Sequence, residues 1–502
     1  MTMGHVTLVG AGPGDPGLLT VKGRQAIAEA DVVVYDRLVG PEILALMPNR
    51  AEQIDVGKRS SHHPVPQWRI NEILLEKARE GKRVVRLKGG DCFLFGRGGE
   101  ELELLEENGI PFDVVPGVTS ALSVPAYAGI PVTHRDFTSS VHIITGHAKK
   151  NGELHIDFDA LVRHGGTLVF LMSVTSTPHI LNGLMQAGMP PELPAAMVER
   201  GTLPRQRKLV ATVGTLAQRM REEGIKSPAI LIVGAVCALS DRFDWYDALP
   251  LHGVTVAVTR PRQRAGTLTG RLRALGADVI SYPCIETQDI WPNLPVVEAL
   301  ASLEQYSWLV LTSPAGVDTL ARLLEAADMD ARSLAHLKLA VIGAGTAKKL
   351  RERGLRADYI PDGYDSIQLA EGLIRLVREG ERVLLLRAEI GSPELPARLA
   401  EACIPFDDIA IYRTIYRNER SEELAEQLAR GAIDYVTFTS ASTVRGFVQS
   451  LPAGAALTGC TALCIGACTE QAAREAGMRT ITAANATIDA MIDTLLEHAG
   501  NK

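Results

Sequence analysis

The sequence predicts an α/β protein of mainly parallel sheets flanked by helices, arranged in two successive halves. Three observations predict it. Continuous apolar runs recur along the chain, among them VTLVG (6–10), TLVFLM (167–172) and AILIVG (229–234). Runs of this kind, without polar alternation, are the pattern of central strands covered on both faces. Several of them end in glycine-containing turns that open amphipathic helices, the order of βα units. Residues 241–252 fit neither pattern, and a fresh strand, GVTVAVT, begins at Gly253.

A chain of 502 residues leads one to expect about three domains. Hydrophobic content of 46% and charged content of 22% are ordinary for globular proteins. The net charge of -7 argues against a nucleic-acid partner. The start, MTMGHVTLVGAGPGD, lacks a basic segment followed by an apolar one, so no signal peptide is expected. No apolar run approaches the ~20 residues that span a bilayer, so no membrane partner is expected. The seven cysteines form no disulfide-like framework, which suits the cytoplasm. Cys460, Cys464 and Cys468 recur every four residues, but on a strand-to-turn segment where that spacing does not converge three thiolates. No metal is expected.

The stretch RLKGGDCFLFGRGGEE (86–101) organises the first half. A short β-branched strand precedes it. A helix follows, with acids in its first turn and Asn108-Gly109 as its stop. Ligands of open α/β sheets sit at the carboxyl ends of strands. Gly89 and Gly90 let backbone approach a ligand closely, and Asp91 adds a carboxylate. The earlier turn GAGPGDPG (10–17) places Gly12, Gly14 and Gly17 at dinucleotide-fingerprint spacing, with Asp36 about 20 residues on. That makes a nicotinamide-dependent oxidoreductase a rival reading. Pro13 and Pro16, however, lack the N–H donors that cradle a pyrophosphate, so the turn suits a ligand without phosphates. Asp36 and Arg37 end the second strand, VGKR (56–59) ends another, and Thr119-Ser120 can cap a short helix.

These motifs, in order, resemble uroporphyrinogen-III C-methyltransferase of the tetrapyrrole methylase family. GAGPGD, VVYDRL, VGKR, RLKGGDCFLFGRGGEE, VPGVTSA, GIPVTHRD, TGH, TLVFLM, VERGT and SPAILIVG carry the resemblance over about residues 4–242. It implies two α/β lobes, about 1–133 and 134–242, with S-adenosylmethionine between them. It also implies two successive ring-carbon methylations of uroporphyrinogen III, giving precorrin-2. The implied cofactor positions are Pro13, Gly89, Gly90, Asp91, Leu94, Thr119, Ser120, Met172 and Gly201. Asp36 and Lys58 match the family's proton acceptor and proton donor. Arg37, Arg97 and Arg135, with Lys58, Arg59 and Lys88, gather around the motifs and suit a substrate with eight carboxylates. Cys92 stands where the family has proline, which implies a looser loop, and SSHHP (60–64) also departs.

The second half contains a repeat. WLVLTS (308–313) is echoed by YVTFTS (435–440), and AVIGAGTA (340–347) by LCIGACT (463–469). With LLLRAEIG, YRT and ATIDAMIDTL, this order resembles uroporphyrinogen-III synthase over about residues 253–502. The resemblance implies a mainly parallel sheet in each of two lobes, 253–286 plus 416–502 and 287–415, joined by a two-stranded connection. The implied reaction converts hydroxymethylbilane to uroporphyrinogen III with ring D inverted, without a cofactor. Thr346, Tyr412 and Thr469 match cleft positions, and Tyr412 could assist the leaving hydroxyl. The whole then reads as a fusion of consecutive enzymes, the second half making the first half's substrate. The resemblance also implies a homodimer through the methyltransferase half. A bilobed binding module without activity is the alternative for the second half. Residues 243–252 read as a linker, with Trp245 and Tyr246 able to pack on one half instead.

Overall fold

The computed structural model describes residues 3–57, 65–147, 155–260, 262–363, 365–416 and 421–500. β1 (His5–Gly10), β2 (Val32–Tyr35), β3 (Glu52–Asp55), β4 (Arg83–Lys88) and β5 (Phe112–Val115) form one sheet in the order β3-β2-β4-β1-β5. Its ladders are parallel throughout. Successive side chains point to opposite faces, and both faces are covered. Val6, Leu8, Val32, Val34 and Val84 pack with Leu74 and Leu105 on one side. Val9, Val33, Val85 and Leu87 pack with Ile27 and Ile43 on the other. This is why β1 and β2 read as nearly unbroken apolar runs.

The second sheet contains β6 (Val141–Thr145), β7 (Thr167–Leu171), β8 (Pro194–Glu199), β9 (Arg207–Thr212) and β10 (Ala229–Val233), in the order β6-β7-β10-β8-β9. It departs from the parallel expectation. Only β6–β7 is parallel, and β10 runs antiparallel to both β7 and β8, as β8 does to β9. For β8 and β9 the reason is local. The chain from Glu199 to Arg207 turns back without a helix, and only antiparallel neighbours accept so short a connection.

The remaining strands are β11 (Thr255–Val258), β12 (Asp278–Ser281), β13 (Ile285–Asp289), β14 (Trp308–Leu311), β15 (Lys338–Val341), β16 (Val383–Ala388), β17 (Phe406–Tyr416), β18 (Tyr435–Phe438), β19 (Thr461–Cys464) and β20 (Arg479–Thr482). They form two sheets, β12-β11-β18-β19-β20 and β13-β17-β16-β14-β15. The ladders β11–β18, β18–β19 and β19–β20 are parallel. So are β14–β15, β14–β16 and β16–β17. Among the described ladders, β13 with β17 is antiparallel, where the chain enters and leaves the second of these lobes.

The sequence repeat is a structural one. β14 and β18 each run into a serine N-cap, Ser313 and Ser440, whose hydroxyl accepts a backbone N–H of the next helix. β15 and β19 each run into a glycine N-cap, Gly343 and Gly466, before the helices Ala344–Glu352 and Ala467–Glu475.

The chain divides into two compact units, Met1–Thr255 with Gly270–Val279 and Leu496–Lys502, and Val256–Thr269 with Ile280–Leu495. Residues 243–252 pack within the first unit. Trp245 Nε1 donates to the Ala126 carbonyl at 2.9 Å, the buried Tyr246 donates its hydroxyl to the Thr202 carbonyl at 3.2 Å, and His252 lies 3.3 Å from the Gln206 carbonyl. A fragment 1–252 is therefore expected to melt above a fragment 1–242 by roughly 5–15 °C, the loss of packed aromatics being worth about 3–5 kcal/mol. Equal melting temperatures in calorimetry would show that the segment contributes nothing to the first unit.

Candidate active site

Three turns leave the carboxyl ends of β1, β4 and β5 and meet backbone to backbone. Gly12 N donates to the Gly90 carbonyl at 3.1 Å and Gly90 N to the Gly12 carbonyl at 2.7 Å. A Cβ on Gly10 would lie 2.5 Å from the Gly117 backbone and 2.7 Å from the Gly90 carbonyl oxygen, and one on Gly117 would strike the same oxygen. Gly90 (φ 70°) and Gly12 (φ 79°) also occupy the left-handed region that glycine alone enters freely. No side chain fits at Gly10 or Gly117.

Asp91 locks it. Its Oδ1 accepts the N–H groups of Phe93 (2.8 Å) and Leu94 (2.9 Å), and its Oδ2 accepts Gly117 N at 3.0 Å. The carboxylate thus holds its own turn closed and ties it to the turn after β5. The loosening expected at Cys92 is not seen. Cys92 is buried in the apolar cluster under the sheet, and its carbonyl accepts Gly98 N at 3.1 Å. Burial, with Asp91 nearby, pushes its thiol up to about 12.

The first turn has little left for a pyrophosphate. Ala11 N donates to the Lys88 carbonyl, Gly12 N to Gly90, Asp15 N to Thr202 Oγ1 and Gly17 N to Asp15 Oδ1. Pro13 and Pro16 have no N–H, and the next α-helix begins only at Val21 under a Thr20 cap. The dinucleotide spacing is present without its donor array.

Asp36 stands at the end of β2 against a buried ion network. Arg86, 2% exposed, donates from Nη2 to both Asp36 oxygens at 3.2 Å and from Nε to Glu101 Oε1 at 3.1 Å. Glu101 is wholly buried and also accepts Lys88 Nζ (2.8 Å) and Gln67 Nε2 (3.1 Å). Its Oε2 has no hydrogen-bond partner. Two cations and two carboxylates alternate, and Asp36 keeps 30% of its side-chain surface exposed. Lys88, expected among substrate-binding basics, is instead committed to Glu101.

The other expected cofactor positions fall on neighbouring segments. Leu94 packs on a cluster containing Ala121, Val124, Leu171 and Val198. Thr119 caps the helix Ser120–Tyr127, accepting Ala121 N at 3.2 Å. Gly201 meets Val124 of that helix so closely that a Cβ would overlap it. Met172, 54% exposed, follows β7 in the left-handed region. Phe95, Arg97, Arg200 and Thr202 share that conformation, which costs non-glycine residues about 1–2 kcal/mol each. Such strain clusters at functional sites. Of the basic residues, Arg37 and Arg135 are exposed. Arg97 pairs with Glu100, Nε to Oε1 at 2.8 Å and Nη2 to Oε2 at 2.5 Å. Lys58, Arg59 and residues 60–64 lie outside the described residues.

In the second half Tyr412, 5% exposed, lies with its hydroxyl 2.7 Å from Ser313 Oγ, the cap of the helix Pro314–Ala326. Thr346 and Thr469 are buried third residues of their helices, at equivalent places in the two lobes. The caps themselves are glycines, so neither threonine is the capping residue.

Arg86, Glu101, Asp15 and Tyr127 were not singled out from the sequence. A signal existed for Arg86, a charge inside the apolar run Val84-Val85-Arg86-Leu87 that must find a partner if buried. Removing that partner is severe. Glu101→Ala is expected to destabilise the first half by about 3–5 kcal/mol, since it leaves Arg86 and Lys88 buried without their shared carboxylate. Chemical denaturation giving a loss under 1 kcal/mol would mean that water already screens the network.

Two family models match the chain, one in each half. A model described as tetrapyrrole (corrin/porphyrin) methylases matches residues 5–217, and one described as uroporphyrinogen-III synthase HemD matches residues 266–493. A "Porphyrin biosynthesis protein HemD" from Ruminiclostridium josui is 51% identical over 500 residues, 100% of this chain and 99% of that protein. "Siroheme synthase 2" from Cronobacter sakazakii is 53% identical over 248 residues, 49% of this chain and 53% of that one. The crystal structure of uroporphyrin-III C-methyltransferase from Thermus thermophilus, complexed with S-adenosyl homocysteine, is 41% identical and covers 47% of this chain and 100% of that one, with a TM-score of 0.41. Two family models in tandem and a full-length relative place the chain in the family of bifunctional porphyrin-biosynthesis enzymes that join a tetrapyrrole methylase to a uroporphyrinogen-III synthase domain.

Proposed function

We propose that the first half methylates uroporphyrinogen III twice at ring carbons with S-adenosylmethionine, giving precorrin-2, and that the second half makes uroporphyrinogen III from hydroxymethylbilane. The observation that carries the reading is the glycine junction locked by Asp91, with Asp36 held beside it by Arg86. A cofactor without phosphates suits a first turn whose N–H groups at Ala11, Gly12, Asp15 and Gly17 are bonded within the protein. Pro13, Gly89, Gly90, Asp91, Leu94, Thr119, Ser120, Met172 and Gly201 are the residues proposed to surround it. When bound, its sulfonium supplies an electron-poor methyl group that needs no further activation.

The chain's task is then orientation and proton removal. Holding a nucleophilic carbon in line is an entropic contribution that a rigid junction can make. Methyl transfer leaves that carbon quaternary and the ring cationic, so a proton must leave from a neighbouring position of the macrocycle, and the partly exposed Asp36 carboxylate can accept it. Arg86 fixes the direction of that carboxylate by donating to both its oxygens. Arg37, Arg97 and Arg135 are proposed to recognise substrate carboxylates. In the second half the bilane loses its hydroxyl as a stabilised cation is formed, so folding of the linear chain dominates. Thr346, Tyr412 and Thr469 are proposed to line that cleft. Dimerisation through the first half rests on the family resemblance, and light scattering tests it.

With hydroxymethylbilane and S-adenosylmethionine supplied together, the full chain should release a doubly methylated product. Asp36→Asn should lower methylation of supplied uroporphyrinogen III by about 10²–10⁴-fold and leave its synthesis unchanged. A variant methylating at the parent rate would remove Asp36 as the base. Tyr412→Phe should slow the synthase step without abolishing it and leave methylation untouched. Wild-type synthase turnover in that variant would take Tyr412 out of the chemistry, and a second half with no turnover at all would favour a silent binding module.

A further inference from the structure

The segment between the two sequence patterns does more than connect them. Trp245 and Tyr246 pack their rings against Tyr127, with centroids 4.9 and 4.7 Å away. Tyr127 is the last residue of the helix that Thr119 caps. Its hydroxyl donates to Asp15 Oδ2 at 2.7 Å. Burial and the Asp15 carboxylate both push the Tyr127 hydroxyl upward, so it stays a donor. Asp15 belongs to the first glycine-rich turn, and its Oδ1 accepts Gly17 N at 2.7 Å. Its own N–H reaches Thr202 Oγ1 at 3.3 Å, and Tyr246 donates to the carbonyl of the same threonine. Thr202 is in the left-handed region and directly follows Gly201. The space beside Gly14 is filled by Leu203, 2.8 Å from where a Cβ would sit.

Three segments with proposed cofactor positions are thus held by one aromatic group. The turn of Pro13 is tied through Asp15. The helix of Thr119 and Ser120 is gripped at its far end, where Trp245 Nε1 donates to the Ala126 carbonyl. The turn of Gly201 is held through Thr202. None of the aromatic residues carries chemistry suited to methyl transfer, and each bonds to a group that shapes a turn.

We propose that Tyr127 is a positioning residue of the methyltransferase site and that Trp245 and Tyr246, from the segment joining the halves, complete the site by holding it. The proposal rests on the S-adenosylmethionine reading above. Its consequence is a loss of cofactor affinity without a loss of chemistry, because the reacting groups are elsewhere.

The test uses the full-length protein, with calorimetry for S-adenosylmethionine binding and steady-state methylation of supplied uroporphyrinogen III. Tyr127→Phe removes one oxygen and should raise the cofactor Kd and KM about fivefold to twentyfold, with kcat within twofold of the parent. Trp245→Ala should act in the same direction, and Trp245→Phe, which keeps a ring against Tyr127, should restore most of the affinity. Synthase turnover should not change in any of them. If Trp245→Ala fails to fold, Tyr127→Phe decides alone. Folded Tyr127→Phe protein with parental Kd and KM overturns the proposal, as does a fall in kcat at unchanged KM. A parent protein that binds no S-adenosylmethionine overturns the cofactor reading and this proposal with it, whereas a binding parent with unaffected variants overturns only the proposal.

Discussion

A guanidinium buried in the middle of a parallel sheet must be answered by carboxylates, because taking an ion out of water costs several kcal/mol unless partners replace the lost hydration. Arg86 sets that requirement in the first half. Glu101 answers it from the first turn of the helix Gly98–Glu107, where a negative charge also suits the positive end of the helix. Lys88 balances Glu101, and Asp36 takes the remaining side of the guanidinium. Strand, helix and the end of β2 are therefore registered to one another by charge. The same network leaves one member, Asp36, in reach of solvent. Stability and the orientation of the proposed base have one physical origin.

Around this network the molecule repeats a single device, a parallel strand that ends in a turn too tight for side chains or closed by a small hydroxyl. In the first half the turns after β1, β4 and β5 press backbone against backbone at Gly10, Gly90 and Gly117. In the second half Ser313, Gly343, Ser440 and Gly466 stand at the four equivalent places. The carboxyl ends of parallel strands collect such turns because helices must start there, and their exposed N–H groups need partners.

Much of this was legible in the residues. The unbroken runs at 6–10, 167–172 and 229–234 announced strands buried on both faces, and the paired TS and GxxT turns announced two similar lobes. Polarity of pairing was not legible in the second sheet. Parallel and antiparallel central strands look alike when both faces are apolar, and the helix-free passage from Glu199 to Arg207 marks the β8–β9 pair alone. Asp91 was found, but not its hold on the backbone: two N–H groups of its own turn and one of the turn after β5 donate to it, which no local pattern reveals. Lys88 read as a substrate-binding cation because nothing in the sequence marks its pairing with Glu101 across the turn. The aromatic pair at 245–246 was seen as able to pack on one half, and its partner Tyr127 lies more than a hundred positions earlier, beyond any periodicity.

The order in which the last two sheets are threaded has a consequence for the newborn chain. The lobe built on β14 to β16 is made from consecutive residues and can close as soon as β17 has been synthesised. The other lobe cannot. β11 leaves the ribosome early, yet its sheet neighbour β18 arrives after about 180 further residues, with β19 and β20 later still. At the synthesis rates of ~5–20 residues per second, β11 waits on the order of ten seconds or more with one edge unpaired. An apolar strand with an open edge is a template for association with other chains. Translation speed between residues 258 and 435 thus becomes a quantity that the lobe's yield depends on.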